Sequence, residues 1–187
     1  MRLATSALRI LDFDIENRPL SYLGQDFTTG EVTSIAWKWI GDRSPYHAVL
    51  LGIDPLEEML ERFRLAYNAA DMVTGHYIRK HDLPVLNGAL LEWGHEPLEQ
   101  KLSQDTKLDL RKQRYQSASQ ENLAEMLGIP APKIHMNTPR WRKANRLTPD
   151  GIELTRRRAV GDVKQHIALR RKLLEMDWLG APRVWRP

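Results

Sequence analysis

The sequence predicts an α/β fold in which a mixed five-stranded sheet is flanked by helices. Three strand-like segments come first and helix–strand–helix units follow them, an element order typical of a mixed sheet. The 187 residues are enough for one domain with a sizeable core, and no linker, repeat or low-complexity tract divides them. We therefore expect a single domain over residues 1–187.

The strands are predicted where short apolar or alternating segments lie between turn residues. In the second of them, Ile35, Trp37 and Trp39 share one face. A fifth element over Leu102–Leu110 is a short strand or the start of a helix. The other four strands are Leu8–Phe13, Val32–Ile40, Tyr46–Gly52 and Asp71–Gly75.

The helices are predicted from apolar residues at helical spacing and from terminal signals. The first opens at Asp54-Pro55, where proline suits the first turn, and keeps its apolar spacing to Tyr67. The others are Leu83–Trp93, Gln120–Leu127, which is closed by Gly128, and a long helix from Pro149 to Met176.

The composition narrows the classes of function. The chain has no cysteine, which excludes disulfides and thiolate metal sites and leaves oxygen and imidazole ligands. It has no apolar run long enough to span a membrane and no apolar signal-peptide core. We expect a cytoplasmic protein with no membrane partner.

The charge is distributed unevenly along the chain. Residues 1–100 carry 9 Lys/Arg against 15 Asp/Glu, whereas residues 101–187 carry 19 against 9. A single basic cluster is normally a solvated helix face, but several of them with aromatic neighbours favour a polyanion-binding surface. The basic half, from about residue 101, is expected to be mainly helical. Its clusters are Arg111–Arg114, Arg140–Lys143, Arg156–Arg158 and Arg170–Lys172.

Two carboxylates close the first strand. Because side chains alternate along a strand, Asp14 and Glu16 project from the same face while Phe13 and Ile15 project from the other. Adjacent carboxylates repel one another and resist joint ionisation unless a cation lies between them. This pair is therefore a candidate divalent-metal site, and the alternative is a solvated strand end.

Two further acids stand in unusual places. Asp82 comes one residue before Leu83-Pro84, where a carboxylate can cap the helix or serve a site. Asp162 lies between the apolar Val160 and Val163 in the last helix, a place where a lone charge needs a partner.

The motifs FDIE, GHYIRKHDLP and GDV, in this order, resemble those of the DEDD (DnaQ-like) 3′–5′ exonuclease superfamily, and DTKLDLRK and NLAEMLGI resemble its intervening segments. The resemblance implies a ribonuclease-H-like fold and release of nucleoside 5′-monophosphates from 3′ ends. It also implies two Mg²⁺ or Mn²⁺ ions held by Asp14, Glu16, Asp82 and Asp162.

One departure concerns the general base. The superfamily carries a Tyr four residues, or a His five residues, before its last Asp, and these positions are Arg158 and Arg157 here. A guanidinium stays protonated and cannot act as a base. We therefore predict His166, one helical turn after Asp162, as the catalytic base, against the alternative of a surface histidine.

The expected ligand is a single-stranded 3′ end of DNA or RNA, held by phosphate contacts and base stacking. The predicted contact residues are Arg140, Trp141, Arg142, Lys143, Arg157 and Arg158, with Tyr77 and Tyr22 as further stacking candidates. Replication or repair proteins are possible partners. The alternatives are a non-catalytic nucleic-acid-binding module and an endonuclease of the ribonuclease-H type.

Overall fold

A computed structural model describes residues 8–20, 30–130 and 134–187. Its sheet has six strands in the order β3-β2-β1-β4-β5-β6. Strands β1, β4 and β5 are parallel to one another, while β2, β3 and β6 each run antiparallel to a neighbour. The bounds are β1 Ile10–Pro19, β2 Gly30–Trp39, β3 His47–Leu50, β4 Met72–Gly75, β5 Lys101–Asp105 and β6 Arg183–Trp185.

The predicted mixed α/β sheet is confirmed, but the expected number of five strands is wrong. The sixth strand, β6, is a short edge strand near the end of the chain that pairs with β5. The segment 102–110 is a strand only as far as Asp105 and then turns. The basic half thus contributes two strands to the sheet as well as helices.

Five helices lie within the described ranges, and none of them is long and apolar enough to cross a membrane. Four match the predicted helices to within a few residues, whereas α4 was not predicted. In α4 the side chain of Asn137 accepts the N–H of Arg140 at 3.0 Å, so the cap starts a helix with little apolar surface. The bounds are α1 Leu56–Asn68, α2 Asp82–Glu92, α3 Gln120–Met126, α4 Thr138–Asn145 and α5 Pro149–Glu175.

Alternation along β1 separates the core from a polar face. Leu11, Phe13 and Ile15 are buried in the main hydrophobic core with residues of α1 and α2. The ring centroids of Phe13 and Phe63 lie 4.9 Å apart. As predicted, Ile35 and Trp37 of β2 join the same core, and Trp39 packs against it partly buried.

Helix α5 covers the opposite face of the sheet. Small side chains permit a close approach there, with Ala36 of β2 packed against Ala159 and Val163 of α5. The even-numbered residues of β1 therefore face α5. Helix α4 lies tightly against the start of α5, and Gly151 makes this approach possible. A Cβ at that position would be only 2.2 Å from the carbonyl oxygen of Lys143.

Gly75 allows the end of β4 to approach β1. A Cβ at this position would lie 2.3 Å from Cγ2 of Ile78 and 2.8 Å from the carbonyl oxygen of Phe13. Both distances are shorter than real Cβ contacts, and the second involves backbone. The glycine is thus required by close packing rather than by a positive φ.

Gly75→Ala should destabilise the protein by about 1–3 kcal/mol, the usual cost of overpacking. The matched control is Gly88→Ala in α2, where an added Cβ meets nothing within 4 Å. That control should be neutral or stabilise by up to about 1 kcal/mol, because alanine is the better helix former. Urea unfolding of both variants tests the prediction, and equal stability of the two would contradict it.

Candidate functional site

Helix α5 and strand β1 run antiparallel with matched spacing of polar side chains. Four residues of helix advance about 6 Å, and two residues of strand advance about 6.6 Å. A helix residue at every fourth position can therefore face a strand residue at every second position. Along this row, which we call the polar ladder, Arg158, Asp162 and His166 of α5 face Glu16, Asp14 and Asp12 of β1.

Three carboxylates of the polar ladder converge at its open end. One ligand oxygen from each of Asp14, Glu16 and Asp162 lies within 4.8 Å of the others. In the part of the chain that the structure describes, this is the one group of acids with metal-site spacing. The pairing of β1 with β2 also shifts register between Glu16 and Asn17, a bulge of the kind common beside functional sites.

The fourth predicted acid, Asp82, lies beside this group. Its Oδ1 accepts the N–H of Ile15 at 3.2 Å, which ties the start of α2 to β1. Its Oδ2 lies 3.4 Å from Nδ1 of His81. The N-cap residue of α2 is His81, whose side chain makes no cap bond, and Asp82 follows it as the first residue of the helix, where it lines the cavity described below. We call Asp14, Glu16, Asp82 and Asp162 the carboxylate cluster.

The carboxylate cluster lines an open cavity of about 310 Å³. Cationic and aromatic groups share this wall with the acids. The lining residues are Asp14–Glu16, His76, Tyr77, His81, Asp82, Lys107, Ser119–Glu121, Arg158 and Asp162. A pocket with convergent polar groups of this kind is the usual form of a ligand or catalytic site.

Electrostatic repulsion is concentrated on Asp14. Burial, followed by the charges of Asp82, Asp162 and Glu16, raises its pKa well above the ordinary value. Burial likewise raises the pKa of Asp82, against the opposing hydrogen bond from His81. The native fold therefore holds negative charge that a bound cation would stabilise.

Arg158 is the cation within the cluster. Its Nε donates a short hydrogen bond to Oε1 of Glu16, and its Nη2 lies 3.6 Å from Oδ2 of Asp162. The guanidinium carbon also lies 5.2 Å from the ring centroid of Trp141. Arg158 is one of the predicted nucleic-acid contacts, but its pairing with two predicted metal ligands could not be read from the sequence.

The structure places His166 away from the cavity. Its side chain is buried, with Nδ1 at 2.6 Å from Oδ2 of Asp12 and Nε2 at 2.9 Å from Oγ1 of Thr106. It does not line the cavity. His166 is therefore neither at the cavity, where a catalytic base was expected, nor at the surface. The helix position one turn beyond Asp162 faces Asp12 rather than Asp14.

The loop after β4 is shaped by Asp105, which the sequence argument did not single out. Its carboxylate accepts the N–H groups of Tyr77 and Arg79 at 3.0 and 3.1 Å. These bonds hold Tyr77 at a φ of 70°, a conformation that non-glycine residues rarely adopt. Tyr77 thereby reaches the cavity wall, where Nζ of Lys107 lies 4.1 Å from its ring centroid. The residue pair Asp105-Thr106 was the available signal.

The predicted nucleic-acid residues lie on α4 and α5, and we call their exposed cationic side chains the basic face. Arg140, Arg142, Lys143 and Arg157 are exposed, and Trp141 is half-buried beside Arg158. Of these residues only Arg158 lines the cavity, and Lys143 also pairs with Asp150 at 3.1 Å. Tyr22 lies outside the described residues.

The residues present fit a divalent metal ion. The donor set is made of carboxylate oxygens alone, which suits Mg²⁺ or Mn²⁺, and Asp14 is surrounded by like charges. Asp14, Glu16 and Asp162 would hold such an ion, with Asp82 beside them. These three carboxylates would be enough for one metal ion, and a second metal ion stays a prediction from the sequence.

Comparison with known proteins supports the fold. No protein-family model and no curated protein sequence matches this chain. Among solved structures, the family B DNA polymerase from the hyperthermophilic archaeon Pyrobaculum calidifontis is similar, with a TM-score of 0.70 and 17% identity. The match covers 90% of this chain and 25% of the polymerase, so the chain spans about a quarter of that protein. The likeness confirms the predicted ribonuclease-H-like fold.

Asp14→Asn should stabilise the metal-free protein at pH 8 in EDTA, because it removes a charge that the native state disfavours. A gain of about 1 kcal/mol would raise Tm by roughly 2–4 °C in a chain of this size. The pKa of Asp14 is ordinarily 3.8 and is higher in the native protein. As the pH falls, Asp14 is therefore protonated in the native state before it is protonated in the unfolded state. The advantage of the variant should therefore shrink between pH 8 and pH 4.5.

Thermal unfolding across this pH range measures the difference. The control is Glu96→Gln, at an exposed position in the loop after α2, which should leave the pH profile unchanged. A variant Asp14→Asn that is less stable than the unmodified protein at pH 8 in EDTA would contradict the repulsion argument.

Proposed function

We propose that this protein is a metal-dependent phosphodiesterase that removes nucleotides from the 3′ ends of nucleic acids. The observation that carries the proposal is the convergence of four carboxylates, from β1, α2 and α5, on one open cavity. Structural roles alone do not account for so many acids in contact, since each raises the energy of its neighbours.

Asp14, Glu16 and Asp162 would hold the metal ion, and Asp82 would fix the position of β1 through Ile15. A divalent ion bound there would neutralise phosphate charge and lower the pKa of bound water, and hydrolysis would yield a nucleoside 5′-monophosphate and a shortened strand with a 3′-hydroxyl. Lys107 and Arg158 line the same cavity and supply positive charge for the phosphate group.

The surroundings of the cavity favour a nucleic-acid ligand. Tyr77 is 36% exposed at the cavity wall, where its ring can stack on a terminal base. The exposed basic residues of α4 and α5 would contact the phosphates that follow. The fold likeness to a DNA polymerase is consistent with this ligand class. Association with replication or repair proteins is part of the same proposal, and DNA and RNA are both candidate substrates.

A non-catalytic nucleic-acid-binding module is the second candidate. The ion pairs of Arg158 with Glu16 and Asp162 favour it, because a guanidinium offsets part of the cluster's charge without metal. Under this alternative, Mn²⁺ would neither bind nor support hydrolysis, while the basic face would still bind nucleic acid.

Millimolar Mn²⁺ should raise Tm, since a ligand that binds only the native state stabilises it by mass action. The same ion should support stepwise loss of mononucleotides from an oligonucleotide labelled at its 5′ end. Asp14→Asn should lose most of the Tm shift and the activity. An unchanged melting curve together with an intact oligonucleotide would favour the binding module.

A 3′-phosphate should block the reaction, and a circular single strand should resist it, because neither presents a free 3′-hydroxyl end. Gel analysis of the three substrates at equal concentration checks this expectation. Efficient cleavage of the circle would instead indicate an endonuclease of the ribonuclease-H type.

Neutralising Arg140, Arg142 and Lys143 together should weaken oligonucleotide binding for all sequences. The slope of log Kd against log salt should decrease by about 0.7 for each lost contact to a single strand. Arg43, Arg62 and Arg64, none of which lies on α4 or α5, provide the matched triple control. An unchanged slope in the first variant, or an equal loss in the control, would place the binding surface elsewhere.

A further inference from the structure

We infer that Arg158 is an internal competitor for the divalent cation, and that metal must displace its guanidinium from Glu16 and Asp162. The inference rests on the proposed metal site and deepens it. It concerns a residue at the position where the sequence comparison expected Tyr, and it assigns that residue a function other than base or phosphate contact.

Arg158 lies against the residues that would hold the metal ion. Arg158 contacts two of the three carboxylates that lie within 4.8 Å of one another. An oxygen lone pair that accepts a guanidinium N–H is not directed at a metal ion, and Mg²⁺ and Mn²⁺ require those oxygen lone pairs. The guanidinium and the metal ion would therefore share the carboxylates of Glu16 and Asp162, where their positive charges repel each other.

The Arg158 side chain is held firmly in place. Its side chain is 17% exposed, whereas that of Arg156, two residues earlier on α5, is 51% exposed. Arg158 stands four residues before Asp162 on one helix, and the Trp141 ring packs against the guanidinium. A cation fixed on three sides is screened less by solvent than a surface ion pair.

The positive charge of Arg158 is permanent. The guanidinium remains protonated at every accessible pH, so it cannot release the carboxylates by losing a proton. Metal binding must then break its ion pairs, and the energy of those pairs is subtracted from the metal affinity. Removing the charge should increase the affinity.

Isothermal titration with MnCl₂ alone, without nucleic acid, tests the inference. Arg158→Gln should bind Mn²⁺ about tenfold more tightly than the unmodified protein, a modest fraction of what a close ion pair can contribute. Arg156→Gln is the control, because Arg156 pairs with Glu153 at the surface, and its Kd should not change. Equal Mn²⁺ affinity in all three proteins would overturn the inference, as would no binding in any of them.

Arg158→Lys separates charge from space. If the positive charge competes, the Kd of Arg158→Lys for Mn²⁺ should be close to that of the unmodified protein and well above that of Arg158→Gln. An equal gain in both variants would attribute the effect to an opened cavity and overturn the inference. Should Arg158→Gln fail to fold, Trp141→Leu carries the test: loss of the supporting ring should tighten Mn²⁺ binding several-fold, and an unchanged Kd would count against us.

This outcome is separable from that of the proposed function. Tighter Mn²⁺ binding by Arg158→Gln, together with no hydrolysis of any oligonucleotide by the unmodified protein, would support the competition and contradict the proposed phosphodiesterase. Hydrolysis by the unmodified protein with an unchanged Kd in Arg158→Gln would do the reverse.

Discussion

Burial of a row of acids between β1 and α5 is the constraint on which the rest of the site depends. Alternation along β1 sends Leu11, Phe13 and Ile15 into the core and leaves a carboxylate at every second position facing the helix. Charges in that interface require partners, because a carboxylate taken out of water loses its hydration. The side chains of α5 supply several of those partners at intervals of four residues.

The two ends of the polar ladder solve this problem differently. At the closed end, Asp12 is paired with His166, which also lies against Thr106, and Thr106 in turn lies 2.9 Å from Nδ1 of His76. Asp12, His166 and Thr106 are buried, and the chain of contacts ends at His76 on the cavity wall. Burial lowers the pKa of His76 to about 4, so it is neutral near pH 7 and adds no charge to the cavity. The closed end is thus a structural network.

At the open end the charges are only partly compensated. Arg158 is one cation among four carboxylates, and it contacts Glu16 and Asp162 but leaves Asp14 with a raised pKa. The pKa of His81 is also raised, first by its hydrogen bond to Asp82, so protonated His81 can offset part of that acid's charge. An incompletely neutralised cluster that is open to solvent is poised to take a cation, whereas the closed end is not.

The sequence predicted the cluster because alternation in a strand and motif order are local properties. Asp14 and Glu16 had to share a face, and Asp82 and Asp162 followed from ordered motifs. Which side chain of α5 pairs with which side chain of β1 depends on how the two elements pack, and not on the local sequence. The direction of α5 relative to β1 decides that His166 meets Asp12 and Arg158 meets Glu16, and no spacing within the chain reveals that direction.

The missed elements have equally physical reasons. Helix α4 buries only Ala144, so apolar periodicity could not reveal it, although the Asn137 cap and the following proline could have. Strand β6 has three residues and takes its strand geometry from β5. Short edge elements depend on tertiary pairing rather than on their own sequence pattern.

The cavity itself follows from unequal strand lengths. Strand β1 pairs with β4 only as far as Asp12 opposite Thr74, yet β1 continues to Pro19. Beyond that point none of the described strands pairs with β1 on its β4 side, and the carboxylate of Asp82 accepts the N–H of Ile15. The chain after β4 turns away at Gly75, where only a glycine tolerates the approach of Phe13 and Ile78. The space that opens is bordered by the carboxylates at the end of the polar ladder. The early end of the β1–β4 pairing thus leaves the carboxylate cluster exposed at one place, where a cation and a phosphate can reach it.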